Sequence, residues 1–473
     1  MKSIIRSLAT VVLLATLNHP SLQAEVKLPS IFSDNMVLQQ QSDVSFWGNA
    51  TAGADVKIKT SWNGKSYSVR AGADGKWRTK VATPSAGGPF TITISDGKTL
   101  TLKNVLIGEV WVCSGQSNME MTMKGYFNQP VTGANEFIAT SSNNNIRLIT
   151  VPRVSNLTPV DNFTGNWVNC EPESVADFSA TAYFFGLLLS KVLQVPVGLI
   201  STSWSGTRIE PWMSEDAIKR FDWITLPDKT VKQENLSVQT PTVLFNTMIN
   251  PIAGFGIRGA IWYQGESNRL EPERYSKLLS GMIENWRTVW NIGDFPFYYV
   301  QIAPFDYGAA SLNSAFLREV QLKASTVIPN VGMACVMDTG EKDNIHPANK
   351  KAAGDRLAYL ALAKTYGKKG FASEGPLLKE MKAEGNQVKL TFLNAPGGLT
   401  SFGKELSCFE VAGVNKRFYP AKAYITTAGI TLFSPSVNEP VAVRYAFKDF
   451  VVGDLFNTLG LPASSFRTDD WEQ

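Results

Sequence analysis

Gly108-Glu-Val-Trp-Val-Cys-Ser-Gly-Gln-Ser-Asn-Met-Glu-Met121 is the stretch from which the fold of this chain can be read. With Val105, Leu106 and Ile107 ahead of it, it opens as a near-continuous apolar, β-branched run through Cys113. A strand buried on both faces of a parallel sheet has this composition. The run stops at Ser114-Gly-Gln-Ser-Asn118, which is small and polar and predicts a strand end, a tight turn and a helix start. In open α/β sheets, ligands gather at the carboxyl ends of the strands. A serine on such a turn is exposed, and its own N–H can help hold an oxyanion. Ser117 is therefore a candidate nucleophile. The ordinary alternative is a Ser/Asn helix cap, and the stretch lacks the G-x-S-x-G form.

On the C-terminal side of this stretch, strand-like runs alternate with amphipathic helices. The runs are Ile146–Val151, Val195–Ile200, Gly259–Tyr263, Phe297–Ile302 and Val331–Val336. The helices are expected near 178–193, 272–290, 313–327 and 348–366. Such alternation means a parallel sheet with helices on both faces, an α/β unit over 105–368. On the N-terminal side, residues 25–104 show short alternating runs, among them Val44–Trp47, Val56–Lys59, Tyr67–Arg70 and Phe90–Ile94. Turn signals such as Asn63-Gly64 and Asp74-Gly75 separate them, which predicts a small β-sandwich. The Lys- and Gly-rich segment Tyr366–Gly370 marks a second boundary. Residues 369–473 read as another β-rich module, with strands at Gln387–Phe392, Cys408–Val411, Ala421–Ile425 and Val441–Tyr445. The tail Gly460–Trp471 is expected to pack back on the body.

Residues 1–24 have the form of a secretory leader: Lys2 and Arg6, an apolar core over Leu8–Leu17, and Leu22-Gln-Ala24 for cleavage. The mature chain is expected in the periplasm or outside the cell, with no membrane insertion. Removing Lys2 and Arg6 from 45 basic residues leaves 43 against 41 acidic ones. That balance argues against a nucleic-acid or anionic-membrane partner. The 12 Trp and 13 Tyr fit a glycan substrate, because exposed aromatic rings are common platforms for sugars. Cys113, Cys170, Cys335 and Cys408 are scattered and allow three full pairings; for Cys113 and Cys335, in buried strands, a free thiol is the ordinary state. No Cys/His cluster predicts a metal, and no cofactor motif is present.

The chain has two histidines, and His19 lies in the leader. His346 is then the single imidazole of the mature protein, in Asp343-Asn-Ile-His346-Pro347, between a strand and a helix. A histidine base acting near neutral pH has to be this one, and activity should fall as pH drops through its pKa within pH 5 to 8. Asp343, three residues upstream, is placed to reach Nδ1 and hold the tautomer; Asp338 and Glu341 compete for that role. Gly206 ends another strand between Ser205 and Thr207, where its N–H is a candidate second oxyanion donor. Gln264 and Asn268 end a third strand, and either amide is a candidate third donor.

The motifs Gly115-Gln-Ser-Asn118, Trp262-Tyr-Gln-Gly-Glu-Ser-Asn268 and Asp343-x-x-His346 resemble those of the sialate O-acetylesterases, within the SGNH hydrolase superfamily. So do Leu28–Gln39, Gly206-Thr-Arg-Ile-Glu-Pro-Trp212, Gly460-Leu-Pro-Ala and Phe466-Arg-Thr-Asp469. The resemblance implies a flavodoxin-like catalytic domain flanked by β-rich domains. It also implies Ser117, His346 and Asp343 as the catalytic set, and an oxyanion hole from Ser117 and Gly206. The superfamily places an Asn in its third block; the nearest match here is Gln264, with Asn268 four residues on. Glu266 is read as bracing that loop and, with Asn268 and Arg208, as lining the sugar site. The planar fork of Arg208 suits a substrate carboxylate such as that of a sialic acid; a structural ion pair is the competing role. The expected chemistry is acyl transfer through an acyl-serine, without metal or organic cofactor. Deacetylation of another glycan such as xylan, a two-carboxylate glycosidase using Glu266 and Asp343, and a non-catalytic glycan-binding protein are the rivals.

Overall fold

The structure is a computed structural model and describes residues 26–308 and 313–471; residues 1–24, expected to form a leader, lie outside the described residues. It is organised on β1 (Thr99–Gly115), which is buried without interruption from Val105 to Gly115. Its first half pairs antiparallel with Gly87–Ser95 of the N-terminal β module. Its second half lies in the middle of a parallel sheet. The boundary expected at 104/105 therefore falls inside one continuous strand. Asn104 sits there at φ +54, a left-handed conformation that asparagine tolerates.

The parallel sheet contains β2 (Asn143–Thr150), β3 (Val197–Ser203), β4 (Gly259–Tyr263), β5 (Phe297–Val300) and β6 (Val331–Ala334) beside β1. The spatial order is β2-β3-β1-β4-β5-β6, with Val168–Cys170 added antiparallel at the β2 edge. Without β2, the order is that of a flavodoxin-like sheet. The chain leaves β1 toward one side and later returns to the other, so the crevice for a ligand opens at the carboxyl end of β1.

Successive β1 side chains face opposite sides of the sheet. Val110 and Val112 join the core shared with the N-terminal module. That core also takes in α3 (Pro272–Trp290) and α4 (Ala315–Val327). Trp111 and Cys113 join a second core on the other face, under α2 (Ala180–Leu193) and α5 (Lys350–Leu360). Helices α2 and α5 start two residues later than the hydrophobic pattern predicts, because their caps intervene. Ser179 Oγ accepts the Ala182 N–H at 3.1 Å, and Asn349 Oδ1 accepts that of Ala352 at 3.1 Å.

The C-terminal module contains two four-stranded sheets. The sequence reading missed Leu377–Glu384, a Lys- and Glu-rich edge strand, and Gly429–Phe433. The tail folds back as expected: Phe466–Arg467 pairs with Ala442–Tyr445, and Arg467 reaches Glu319 on α4. The module core includes Cys335 and Met337, from the segment that leads to His346. All four cysteines are buried free thiols.

Candidate active site

Three strand ends are latched together at the crevice. Gly115 ends β1 at φ +143, and a Cβ there would sit 2.2 Å from the Tyr263 carbonyl at the end of β4. Only glycine permits that approach. The Gln116 N–H donates to the same carbonyl at 2.9 Å. Gln116 Oε1 accepts from Gly265 and Ser267 N–H at 3.3 and 3.4 Å. On the other side, the Trp204 N–H beyond β3 donates to Gly115 O at 3.1 Å.

Ser117 begins a one-turn helix, α1 (Ser117–Glu120), immediately after this latch. As a first-turn residue its N–H has no intrahelical acceptor. Gly206 lies in the turn after β3 at φ +72, and a Cβ there would meet nothing within 4 Å. Its carbonyl accepts from Gln239 Nε2 and Ser267 Oγ at 2.6 and 2.9 Å, so the peptide is anchored on its acceptor side. Glu120, at the end of α1, receives the Ser205 N–H and holds this turn against the serine's helix.

The third expected donor is differently employed. Gln264 is buried, and its Nε2 donates to Thr207 O at 3.2 Å and Asn268 Oδ1 at 2.8 Å. Asn268 in turn accepts the Ile209 N–H at 3.0 Å and donates to Glu210 Oε2 at 3.1 Å. The backbone N–H of Ile209 fixes the direction of the whole chain of amides. Both side chains brace the β4 turn; Gln264 Nε2 has both its N–H groups engaged within the protein, and Asn268 Nδ2 donates to Glu210. The unpartnered atom is Gln264 Oε1, an acceptor.

Arg208 is ion-paired within the protein. Its guanidinium forks onto Glu210, with Nη2 at 2.9 Å from Oε1, and also pairs with Glu271. Glu210 takes the Nε and Nη2 edge of the fork expected to receive a substrate carboxylate, and Glu271 also meets Nη2.

His346 lies beside this edge. Its Nδ1 is 2.6 Å from Gln129 Oε1, and the Tyr126 ring packs edge-on against the imidazole at 5.5 Å. An amide oxygen accepts, so Nδ1 carries the proton and Nε2 is the basic nitrogen. The expected Asp343 contact is not formed: Asp343 is exposed, and no hydrogen bond joins its carboxylate to the ring among the described residues. The physical reason is the turn at 344, where Asn344 Oδ1 caps the His346 N–H at 3.0 Å and directs the ring toward Gln129. Burial, with the positive Lys350 nearby, pushes the imidazole down to about 4.

Asn118 joins the serine's turn to the histidine's loop. Its Nδ2 donates to Ile345 O at 3.1 Å and to Glu266 Oε1 at 2.7 Å, while Oδ1 receives Lys350 Nζ. Glu266 is buried beneath it, with Oε2 unpartnered. Burial pushes the carboxyl up; its own backbone N–H, Asn118 and Lys350 oppose this. A carboxylate held this way is not one of an open glycosidase pair.

Residues 107–363 match the family model described as carbohydrate esterase, sialic acid-specific acetylesterase. The chain belongs to this family. It is 28% identical to the mouse sialate O-acetylesterase over 487 residues, covering 89% of each chain. It is 29% identical to the human one over 476 residues, covering 89% of this chain and 87% of that. A solved carbohydrate acetylesterase from Xanthomonas citri superposes with a TM-score of 0.86 at 32% identity, covering 94% of this chain and all of the other. This member of the carbohydrate esterase family is thus an enzyme, a hydrolase of sugar esters.

Three site residues escaped the sequence reading: Gln129, Lys350 and the joining role of Asn118. Asn118 lies in the quoted motif, and Lys350 follows His346 by four residues. For Gln129 the sequence holds no signal, since it reaches the imidazole from 217 positions away.

Proposed function

We propose that the protein removes O-acetyl groups from sugars, with O-acetylated sialic acids as the substrate class, through an acyl-enzyme on Ser117. His346 Nε2 takes the serine proton as the hydroxyl attacks the acetyl carbonyl. The oxyanion is held by the N–H groups of Ser117 and Gly206. The imidazolium then protonates the departing sugar oxygen, and water activated by the same base releases acetate. What supports this reading is one contact, from Asn118 Nδ2 to Ile345 O at 3.1 Å, which ties the residue after the serine to the residue before the histidine. Asp343 completes a Ser-His-Asp set only by displacing Gln129 from Nδ1.

A second substrate reading, another acetylated glycan such as xylan, is favoured by Arg208, whose guanidinium is paired with Glu210 and Glu271. The test measures acetate release from O-acetylated sialic acids and acetylated xylo-oligosaccharides, with Ser117→Ala alongside. Acetate from sialic acids, lost in Ser117→Ala, is expected. Higher rates on xylo-oligosaccharides would replace the substrate class, and wild-type rates in Ser117→Ala would remove the nucleophile. A periplasmic or secreted site of action belongs to the same proposal and is checked by sequencing the N-terminus of the exported protein.

A further inference from the structure

Lys350 opens α5 four residues after His346 and is 2% exposed. A buried ammonium is costly unless it is paired and hydrogen-bonded, and at a helix start it also faces the positive end of the dipole. A methionine would fill similar space without either cost. The position instead holds a cation directed at one atom, Asn118 Oδ1.

Asn118 follows Ser117, and its amide ties three further segments to the serine's turn. The oxygen receives Lys350 from α5. The nitrogen donates to Glu266 Oε1, in the turn after β4, and to Ile345 O, in the loop carrying His346. Lys350 offers only donors and Ile345 O only an acceptor, so the amide has one possible orientation. A cation at its oxygen and a carboxylate at its nitrogen strengthen every bond in the set.

We propose that Lys350 is a positioning residue of the reaction, acting through the Asn118 amide to hold the turn of Ser117 and the loop of His346 in register. The proposal rests on the reading of Ser117 as nucleophile and His346 as base. It carries an electrostatic consequence for the imidazole. The charged groups facing Lys350 are Glu266 after β4 and Glu341 in the histidine's own loop. Facing His346 are Lys350 from α5 and the neutral Tyr126 and Gln129. Burial pushes the Lys350 ammonium down to about 7, with the two carboxylates opposing. Below that pH the ammonium is charged, which is where an ordinary imidazole would take up its proton.

The test uses the full chain and an aryl acetate, with Lys350→Met and the charge-balanced Lys350→Met/Glu266→Gln. Both are expected to lower kcat tenfold or more with KM changed less than about twofold, and to move the acid limb of kcat upward by about one pH unit. The double variant should regain the melting temperature lost in the single one but neither kcat nor the limb. A double variant with wild-type kcat and an unmoved limb would overturn the proposal. So would one that stays both unstable and inactive, which assigns Lys350 to folding alone. Ser117→Ala separates the two claims. Activity retained there removes the serine reading, and the register with it. Activity lost there but kept in the double variant removes only the role of Lys350.

Discussion

His346 Nδ1 lies 2.6 Å from Gln129 Oε1, so a neutral amide, and not a carboxylate, sets the tautomer of the imidazole. A carboxylate at that nitrogen would stabilise the imidazolium; an amide fixes its geometry with much less charge stabilisation.

The first prediction concerns that contact. Gln129→Ala should lower kcat by at least about tenfold, less than the roughly 10²- to 10⁴-fold that a general base itself contributes, while Asp343→Ala should change it less than about threefold. Steady-state rates on one acetyl ester decide between them. The reverse ranking would mean that Asp343 replaces the amide in the working enzyme.

The pH profile is the second. An imidazole of ordinary pKa, about 6.5, would lose its base function between pH 7 and 5. Burial and the Lys350 ammonium move His346 to about 4, so on the acid side, below the pH near 7 at which Lys350 becomes charged, kcat/KM should stay level down to about pH 5 and fall by half near pH 4. This revises the drop within pH 5 to 8 expected from the sequence. Stability follows the same linkage. Between about pH 6.5 and 4 the unfolded chain binds the His346 proton and the folded one does not, so His346 lowers stability as pH falls through that window. Unfolding midpoints in His346→Gln should lack this component.

Gly206 offers a third test. An alanine Cβ there meets no neighbour within 4 Å, but φ is +72. Gly206→Ala should cost only about 1 kcal/mol of stability from the left-handed backbone. If its N–H serves the oxyanion, kcat should fall by about 100-fold as the Cβ enters the approach and the peptide shifts. Unchanged turnover with a slightly lowered melting temperature would leave the oxyanion to other donors.

The fourth is structural. Arg444 pairs bidentately with Asp469 at 2.9 and 2.7 Å, and the Asp469 side chain is fully buried. Arg444→Ala should destabilise the protein by about 3 kcal/mol, because a buried carboxylate loses its main partner. Replacing both with apolar residues of similar size should recover most of it. Equal melting temperatures for wild type and Arg444→Ala would show that Arg467, 3.5 Å from the same carboxylate, suffices.

Alternation of apolar runs and amphipathic helices was enough to read the α/β class, all six strands of the parallel sheet and their helices from the chain alone. That information is local: burial on two faces makes a strand apolar throughout, and Gly115-Gln-Ser117 breaks it. The position of Ser117 at a strand end follows from the same pattern. The module boundary was not legible, because β1 keeps one composition while it passes from one sheet to another.

The sequence by itself singled out the candidates for chemistry: Ser117 on a strand-ending turn, His346 between a strand and a helix, and Gly206, a glycine free to adopt φ +72. Only the tertiary structure decided their partners. Gln129 in place of Asp343, Glu210 and Glu271 on Arg208, and Lys350 on Asn118 are contacts across as many as 232 positions of chain. Hydrogen bonds of that span depend on where strand ends and loops converge, and no spacing within a single segment records it.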